Sequence, residues 1–268
     1  MKRILCLLLA ISLCLTLCSC GKSEEAQAVD DLILAVGDVR AEDKDAIAAA
    51  EEAYNSLSEK DKEMVEHYST LIEAKTTLKD IEFESLTERL EALNYQCGTV
   101  SEFIYSVWDN VGATDFDTYF NCVLMFQDEN SLGEMKARYA QRSSGQNAWI
   151  WNVWGAGTAI DPNKYGEVKS IDNPLIDEIV RKSIAFTSVF YSLSITDEEL
   201  CADISDFVKT YQNDYPEEAE ILREWNIESS VYVEFALNPS GSLMSYGDEI
   251  GEYKNTMTRF QKEADSLK

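Results

Sequence analysis

The C-terminal stretch constrains this chain more than any other feature. Leu243, Tyr246, Ile250, Tyr253, Met257, Phe260, Ala264 and Leu267 recur at steps of 3, 4, 3, 4, 3, 4 and 3. That alternation follows the turn of an α-helix and draws one narrow apolar seam along it, the a/d pattern of a helix lying in a groove between two others. A strand would need apolar residues at every second position, and no segment of comparable length alternates in that way. The same spacing returns in Leu86, Leu90 and Leu93, in Val100, Phe103, Ile104, Val107, Trp108 and Val111, and in Leu200, Ile204, Phe207, Val208 and Tyr211. The fold class expected is therefore all-α, with a short three-helix module followed by a larger, irregular helical bundle.

Local signals divide the bundle into helices. Gly98 is expected to bend the long element after Glu84, and Gly112 to end it. Asp115 can open a helix through Phe116, Tyr119, Phe120, Val123, Leu124 and Phe126, whereas residues 138–147 are polar and read as a loop. Asn173-Pro174 combines an N-cap with proline at the first helical position. The helix that follows, Leu175 to Leu193, is apolar nearly all round in its second half, which places it at the centre of the bundle. Thr196 and Glu199 have the spacing of a capping box, so a separate helix is expected to start there. Pro216 opens another, Asn238-Pro239-Ser240-Gly241 breaks the chain, and Ser242 can cap the last.

Residues 28–82 read as a module of three short amphipathic helices. Val29, Leu32, Ile33 and Val36 form one face, ending at Gly37 as a C-cap. Asp43 or Asp45 can cap a second helix with Ile47, Ala50, Tyr54 and Leu57 inside. Ser58 can cap a third, followed by Met64, Val65, Tyr68, Leu71, Ile72 and Leu78. The segments Val29-Asp30-Asp31-Leu32-Ile33, Gly37-Asp38-Val39, Ala53-Tyr54-Asn55-Ser56-Leu57, with Ala46-Ile47, Lys62, Val65, Tyr68 and Leu71, resemble the small three-helix repeats of Gram-positive surface proteins. His67 stands where that pattern has Asn. The resemblance implies a spacer or adhesive unit and no catalytic residue. The turn Pro239-Ser240-Gly241-Ser242-Leu243 resembles one found in helical lipoproteins of Gram-positive bacteria and their prophages, and implies architecture only.

The N-terminus sets the expected location. Lys2 and Arg3 precede an apolar run from Ile4 to Leu17, which is shorter than the roughly 20 residues a bilayer span requires and has the layout of a secretion signal. Leu17-Cys18-Ser19-Cys20 closes it and resembles the lipobox of bacterial lipoproteins. The resemblance implies cleavage after residue 19, a lipid on Cys20, and a protein held on the outer face of the cell membrane. The domain plan is then a signal peptide over 1–19, a lipidated Cys20 with a polar tether over 20–27, the spacer module over 28–82, and the bundle over 84–268.

Charge narrows the partners. The net charge of −26 opposes nucleic acid and a polybasic membrane footprint, and keeps a secreted chain soluble. Of the seven cysteines, Cys97, Cys122 and Cys201 lie beyond the signal, each among apolar residues and none at metal-ligand spacing. They read as buried thiols, or as one disulfide and one thiol. The single histidine, His67, lies inside the spacer module without a cysteine or patterned serine nearby, so a histidine-dependent nucleophile or a multi-histidine metal site is not expected. With 49 acids, no carboxylate pair stands out as the two needed for glycoside hydrolysis. Asp161, Asn163, Gly166 and Asp172 have calcium-loop spacing, but Tyr165 stands at a ligand position; a loop that simply leads to Pro174 explains the same residues. No cofactor, metal or catalytic residue is expected.

Three of the five tryptophans, Trp149, Trp151 and Trp154, fall within six residues, ahead of Gly155-Ala156-Gly157. An exposed row of indoles would stack on sugars or anchor a partner. Helical geometry pairs Trp151 with Trp154 and an extended segment pairs Trp149 with Trp151, so neither aligns all three and burial in the bundle is expected. The functional expectation is a lipid-anchored envelope protein that binds or scaffolds another protein. The alternative is a glycan-binding lipoprotein that uses Trp149, Trp151 and Trp154.

Overall fold

A computed structural model describes residues 22–111 and 174–268 of the chain. Cys20, Cys122, the Trp149–Trp154 stretch and the calcium-like loop at 161–172 lie outside the described residues. The described residues form seven α-helices and no strand, so the all-α expectation is met. They are α1 (Glu24–Val36), α2 (Lys44–Asn55), α3 (Glu59–Lys62), α4 (Tyr68–Val111), α5 (Pro174–Tyr211), α6 (Pro216–Leu237) and α7 (Leu243–Asp265), with a 3-10 turn at Ala41–Asp43. None of them is long and apolar enough to cross a membrane. The chain divides into two compact units, one ending at Glu84 and the other starting at Ser85.

The first unit begins earlier than its sequence suggests. Ser23 accepts a hydrogen bond from the Ala26 N–H at 3.1 Å and starts α1 at Glu24, inside the stretch expected to be tether. Gly37 ends α1 at φ 63°, the left-handed geometry that glycine tolerates best. Val29, Ile33, Ile47, Ala50, Leu71, Ala74 and Leu78 make the core. The Tyr54 and Tyr68 rings stack beside it with centroids 4.1 Å apart. Three expected core residues are exposed instead: Leu32 at 43%, Tyr68 at 39% and Ile72 at 42%. The cause on α1 is Asp30, which is buried and turns the inner face toward Ala26, Val29, Asp30 and Ile33, leaving Leu32 on the flank. The Asp30 carboxylate accepts from the backbone N–H groups of Glu66 at 3.1 Å and His67 at 2.8 Å, and pairs with Lys22.

The third helix of the module is not short. Ser58 caps only the single turn α3, accepting from the Asp61 N–H at 3.2 Å. The chain then enters α4, which continues to Val111 because nothing between Leu78 and Ser85 breaks a helix. The helix also runs through Gly98, since a lone glycine costs a helix only about 1 kcal/mol, less than the packing on either side supplies.

The second unit is built from the rest of α4 with α5, α6 and α7. Their buried residues run at steps of three and four: Leu86, Leu90, Leu93, Cys97, Val100 and Ile104 on α4, and Tyr246, Ile250, Met257, Phe260 and Ala264 on α7, where the half-buried Tyr253 fills the step between Ile250 and Met257. Ring pairs set the register of neighbours. Trp225 stacks on Phe260 and Tyr232 on Tyr253, so α6 and α7 run antiparallel. Arg89 bonds Asp203 at 2.7 Å while Phe103 stacks on Phe186, so α4 and α5 do too.

Two expectations for α5 are corrected. The helix does not restart at Thr196; it is continuous to Tyr211, and Glu199 is exposed. The seam Phe186, Phe190, Leu193, Leu200, Ile204, Phe207, Tyr211 keeps its phase if Asp197 fills the missing position. Asp197 does so, accepting from the Ser230 hydroxyl of α6 at 2.8 Å. Nor is α5 enclosed on every side as a central helix would be, since Tyr191, and Ile195 just beyond the expected stretch, are 50% and 61% exposed. On α6, Val231 is likewise exposed.

Asp30 generates a test of the first unit. Removing its carboxylate in Asp30→Ala leaves two backbone donors without their charged acceptor, a loss of about 2–4 kcal/mol. Hydrogen exchange should quicken in α1 and α2 while α7 stays as protected as before. Unchanged exchange in α1 would show that the carboxylate contributes nothing.

Candidate functional site

One cleft in the second unit combines depth with mixed chemistry. It lies between α4, α6 and α7 and has a volume of about 470 Å³, within the range of small-molecule sites. The α4 wall carries Glu91, Asn94, Tyr95, Gly98 and Glu102. Trp225 and Tyr232 come from α6, and Lys254 and Met257 from α7. Helical spacing explains the wall: 91, 94, 95, 98 and 102 are one face of α4, beside the seam that ends in Ile104.

The deep end is polar where a seam residue would be apolar. Asn94, 7% exposed, donates its amide N–H to the Ser229 hydroxyl at 3.0 Å, and Ser229 faces the Met257 sulfur at 3.8 Å. The Asn94 carbonyl oxygen and the Trp225 indole N–H have no partner among the described residues. At the mouth Lys254 pairs with Glu102, and Tyr95 is 78% exposed. Gly98 sits between: a Cβ there would lie 3.4 Å from the Tyr232 hydroxyl and 3.6 Å from Lys254 Cε.

Beside the cleft, Cys97 and Cys201 are free thiols. Burial, with Asp197 adding its negative charge, pushes the Cys97 thiol up to about 12. Such a thiol stays protonated and is a poor nucleophile near neutrality. Cys201 contacts Asn226 and Ser230, so its surroundings with Asp197 form a polar patch between α5 and α6. Burial also raises the Tyr232 and Tyr246 hydroxyls. Among the described residues no group of three or more His, Cys, Asp or Glu is placed to hold a metal ion.

Cys20, Trp149, Trp151 and Trp154 lie outside the described residues, and His67 belongs to the first unit, where its backbone N–H serves Asp30. The signal that was there to be read is Asn94, a polar residue flanked by the seam residues Leu90, Leu93 and Cys97. Compared with family models, curated proteins and solved structures, the chain shows no significant match to any.

Two measurements probe the site. The Cβ contacts at Gly98 are ordinary van der Waals distances, so Gly98→Ala should stabilise the helix by about 0.5–1 kcal/mol and raise the melting temperature. A lower melting temperature would mean that the wall is tighter than described. Cys97 predicts an alkaline effect. Its pKa, pushed up to about 12 by burial, lies above the ordinary thiol value of 9.0, so its contribution is complete below pH 9 and lost as pH rises from there towards 12. Cys97→Ala should flatten the fall in stability over that window; an identical alkaline profile would refute the assignment.

Proposed function

We propose that this chain is a lipid-anchored protein of the outer face of the cell membrane that binds or scaffolds an envelope component and has no catalysis of its own. The cleft between α4, α6 and α7 carries the binding part of this reading, because it joins an exposed ring, Tyr95, to Asn94, Thr99, Thr258 and Gln261 along one concave surface.

The anchoring part rests on Leu17-Cys18-Ser19-Cys20 at the end of the apolar run. Two or more acyl chains on Cys20 would hold the protein stably, at about 0.8 kcal/mol per buried methylene. Against catalysis stand the protonated Cys97 and the engagement of Glu102 by Lys254 at the mouth.

Replacing Cys20 by Ala should move the protein from the membrane fraction to the soluble one. A variant that stays with the membrane after a high-salt wash would overturn the anchor.

A further inference from the structure

The α5–α6 pair carries apolar residues that its own packing does not use. Among the described residues of the second unit, the large apolar side chains left exposed are Tyr95 and Met244, which stand apart, and Tyr191, Ile195, Ile227 and Val231. The last four are between 43% and 61% exposed. Each lies two residues from a fully buried one: Leu193 for the pair on α5, Trp225 and Ser229 for the pair on α6. A two-residue step turns a helix by about 200°, so all four point away from the interior. Two contacts set how the helices align: Asp197 accepts from the Ser230 hydroxyl at 2.8 Å, and Asn226 donates to the Cys201 sulfur at 3.3 Å. In that antiparallel register Ile195 comes level with Val231, with Tyr191 a turn to one side and Ile227 a turn to the other. The four form one patch about 13 Å long, which scattered surface residues would not.

Helix formation does not call for these residues. Three of the four are β-branched, which lowers helix propensity at an exposed position. Acids edge the patch. Glu198, one turn before Cys201, and Glu234, one turn after Ser230, stand along the groove between the helices, and Glu199 and Glu224 flank it. All four carboxylates are exposed, and none forms an ion pair among the described residues. Arg223, the one base of α6, is already engaged by Glu220. This rim selects among occupants. A second copy would set the same carboxylates against these, and an anionic bilayer would be repelled in the same way. A cationic partner with an apolar stripe is matched on both counts. Shape points to a helix, because two antiparallel helices leave a groove in which a third packs at about 8–10 Å, and apolar residues a turn apart meet its anchors.

We propose that the outer face of α5 and α6 docks a basic amphipathic helix of a partner protein, with its apolar stripe on Tyr191, Ile195, Ile227 and Val231 and its Lys or Arg side chains on Glu198 and Glu234. None of these residues lines the α4–α6–α7 cleft. The surface is therefore a second one, and it depends neither on what the cleft binds nor on the anchor.

The probe is a two-heptad peptide of leucine and lysine with its leucines on one face. It is compared with the leucine–glutamate peptide of the same pattern and with its own composition in scrambled order. The full chain is held in nanodiscs of neutral lipid and captured through a C-terminal tag, with empty discs as the blank. The basic amphipathic peptide should bind with a Kd of about 100 μM or tighter, and the other two about tenfold more weakly or worse. Ile195→Ser and Ile227→Ser replace exposed side chains, so melting curves should stay as they are while each weakens binding by about fivefold. Glu198→Gln combined with Glu234→Gln should weaken it too and reduce its dependence on salt. Met244→Ser, at an exposed position away from the patch, should change nothing. Equal binding of the scrambled peptide overturns the proposal, as does binding that ignores both isoleucine substitutions, since either result means a diffuse attraction between a basic peptide and an acidic chain. Absence of binding overturns it as well. A dimer in the ultracentrifuge that Ile195→Ser abolishes would overturn it by giving the face to a second copy, and anionic-vesicle binding lost with the same substitution would give it to a membrane.

Discussion

Burial of one narrow seam per helix along a shared interior is the constraint on which the second unit depends. Each buried Leu, Phe or Met contributes about 1.5–3 kcal/mol when removed from water, but a seam on a single helix has nothing to bury against. The helices α4, α5, α6 and α7 therefore stand or fall together. Aromatic stacking fixes neighbours where volume alone would tolerate a slip: Trp225 on Phe260, Tyr232 on Tyr253, and Phe235 on Tyr246 all require the same antiparallel register of α6 and α7.

Polar residues on the seams sharpen that choice. A shift by one heptad would keep most apolar contacts but would separate Asp197 from Ser230 and Asn94 from Ser229. A buried carboxylate or amide without its partner is strongly unfavourable, so these bonds disfavour wrong registers more than they stabilise the right one. Asp30 does similar work in the first unit, where a small core gives little margin. It holds the backbone that leads into α4 through Glu66 and His67, and with it the position of Leu71, Ala74 and Leu78.

The cleft follows from the same architecture. Close packing along the seam leaves openings only where a wall residue is small or where a polar group is not answered by its neighbours. Gly98 supplies the first condition on the α4 wall. Anchoring at Cys20 would place such a cleft among envelope components, and the acidic chain would select against anionic ones. The proposed role thus draws on two kinds of information, a sequence motif for location and a packed interior for recognition.

The amino-acid sequence by itself determined the helical class, the seam of α7, and several boundaries: Gly37 after α1, Ser58 before α3, Pro174 and Pro216 at the starts of α5 and α6, and Ser242 before α7. Those features are written in residues within a turn or two of one another, which is the range over which caps and periodicity act. Only the tertiary structure decided that α4 runs through Gly98 and that α5 runs through Thr196, since continuity depends on whether distant helices cover the stretch in question. It also decided that Leu32 turns outward, that Asp30 and Asp197 turn inward, and that Asn94 and Trp225 share a cleft. A polar side chain can be buried only if a partner from elsewhere in the chain meets it, and for Asp30 that partner is the backbone 36 and 37 residues away. Local sequence carries no record of such a meeting.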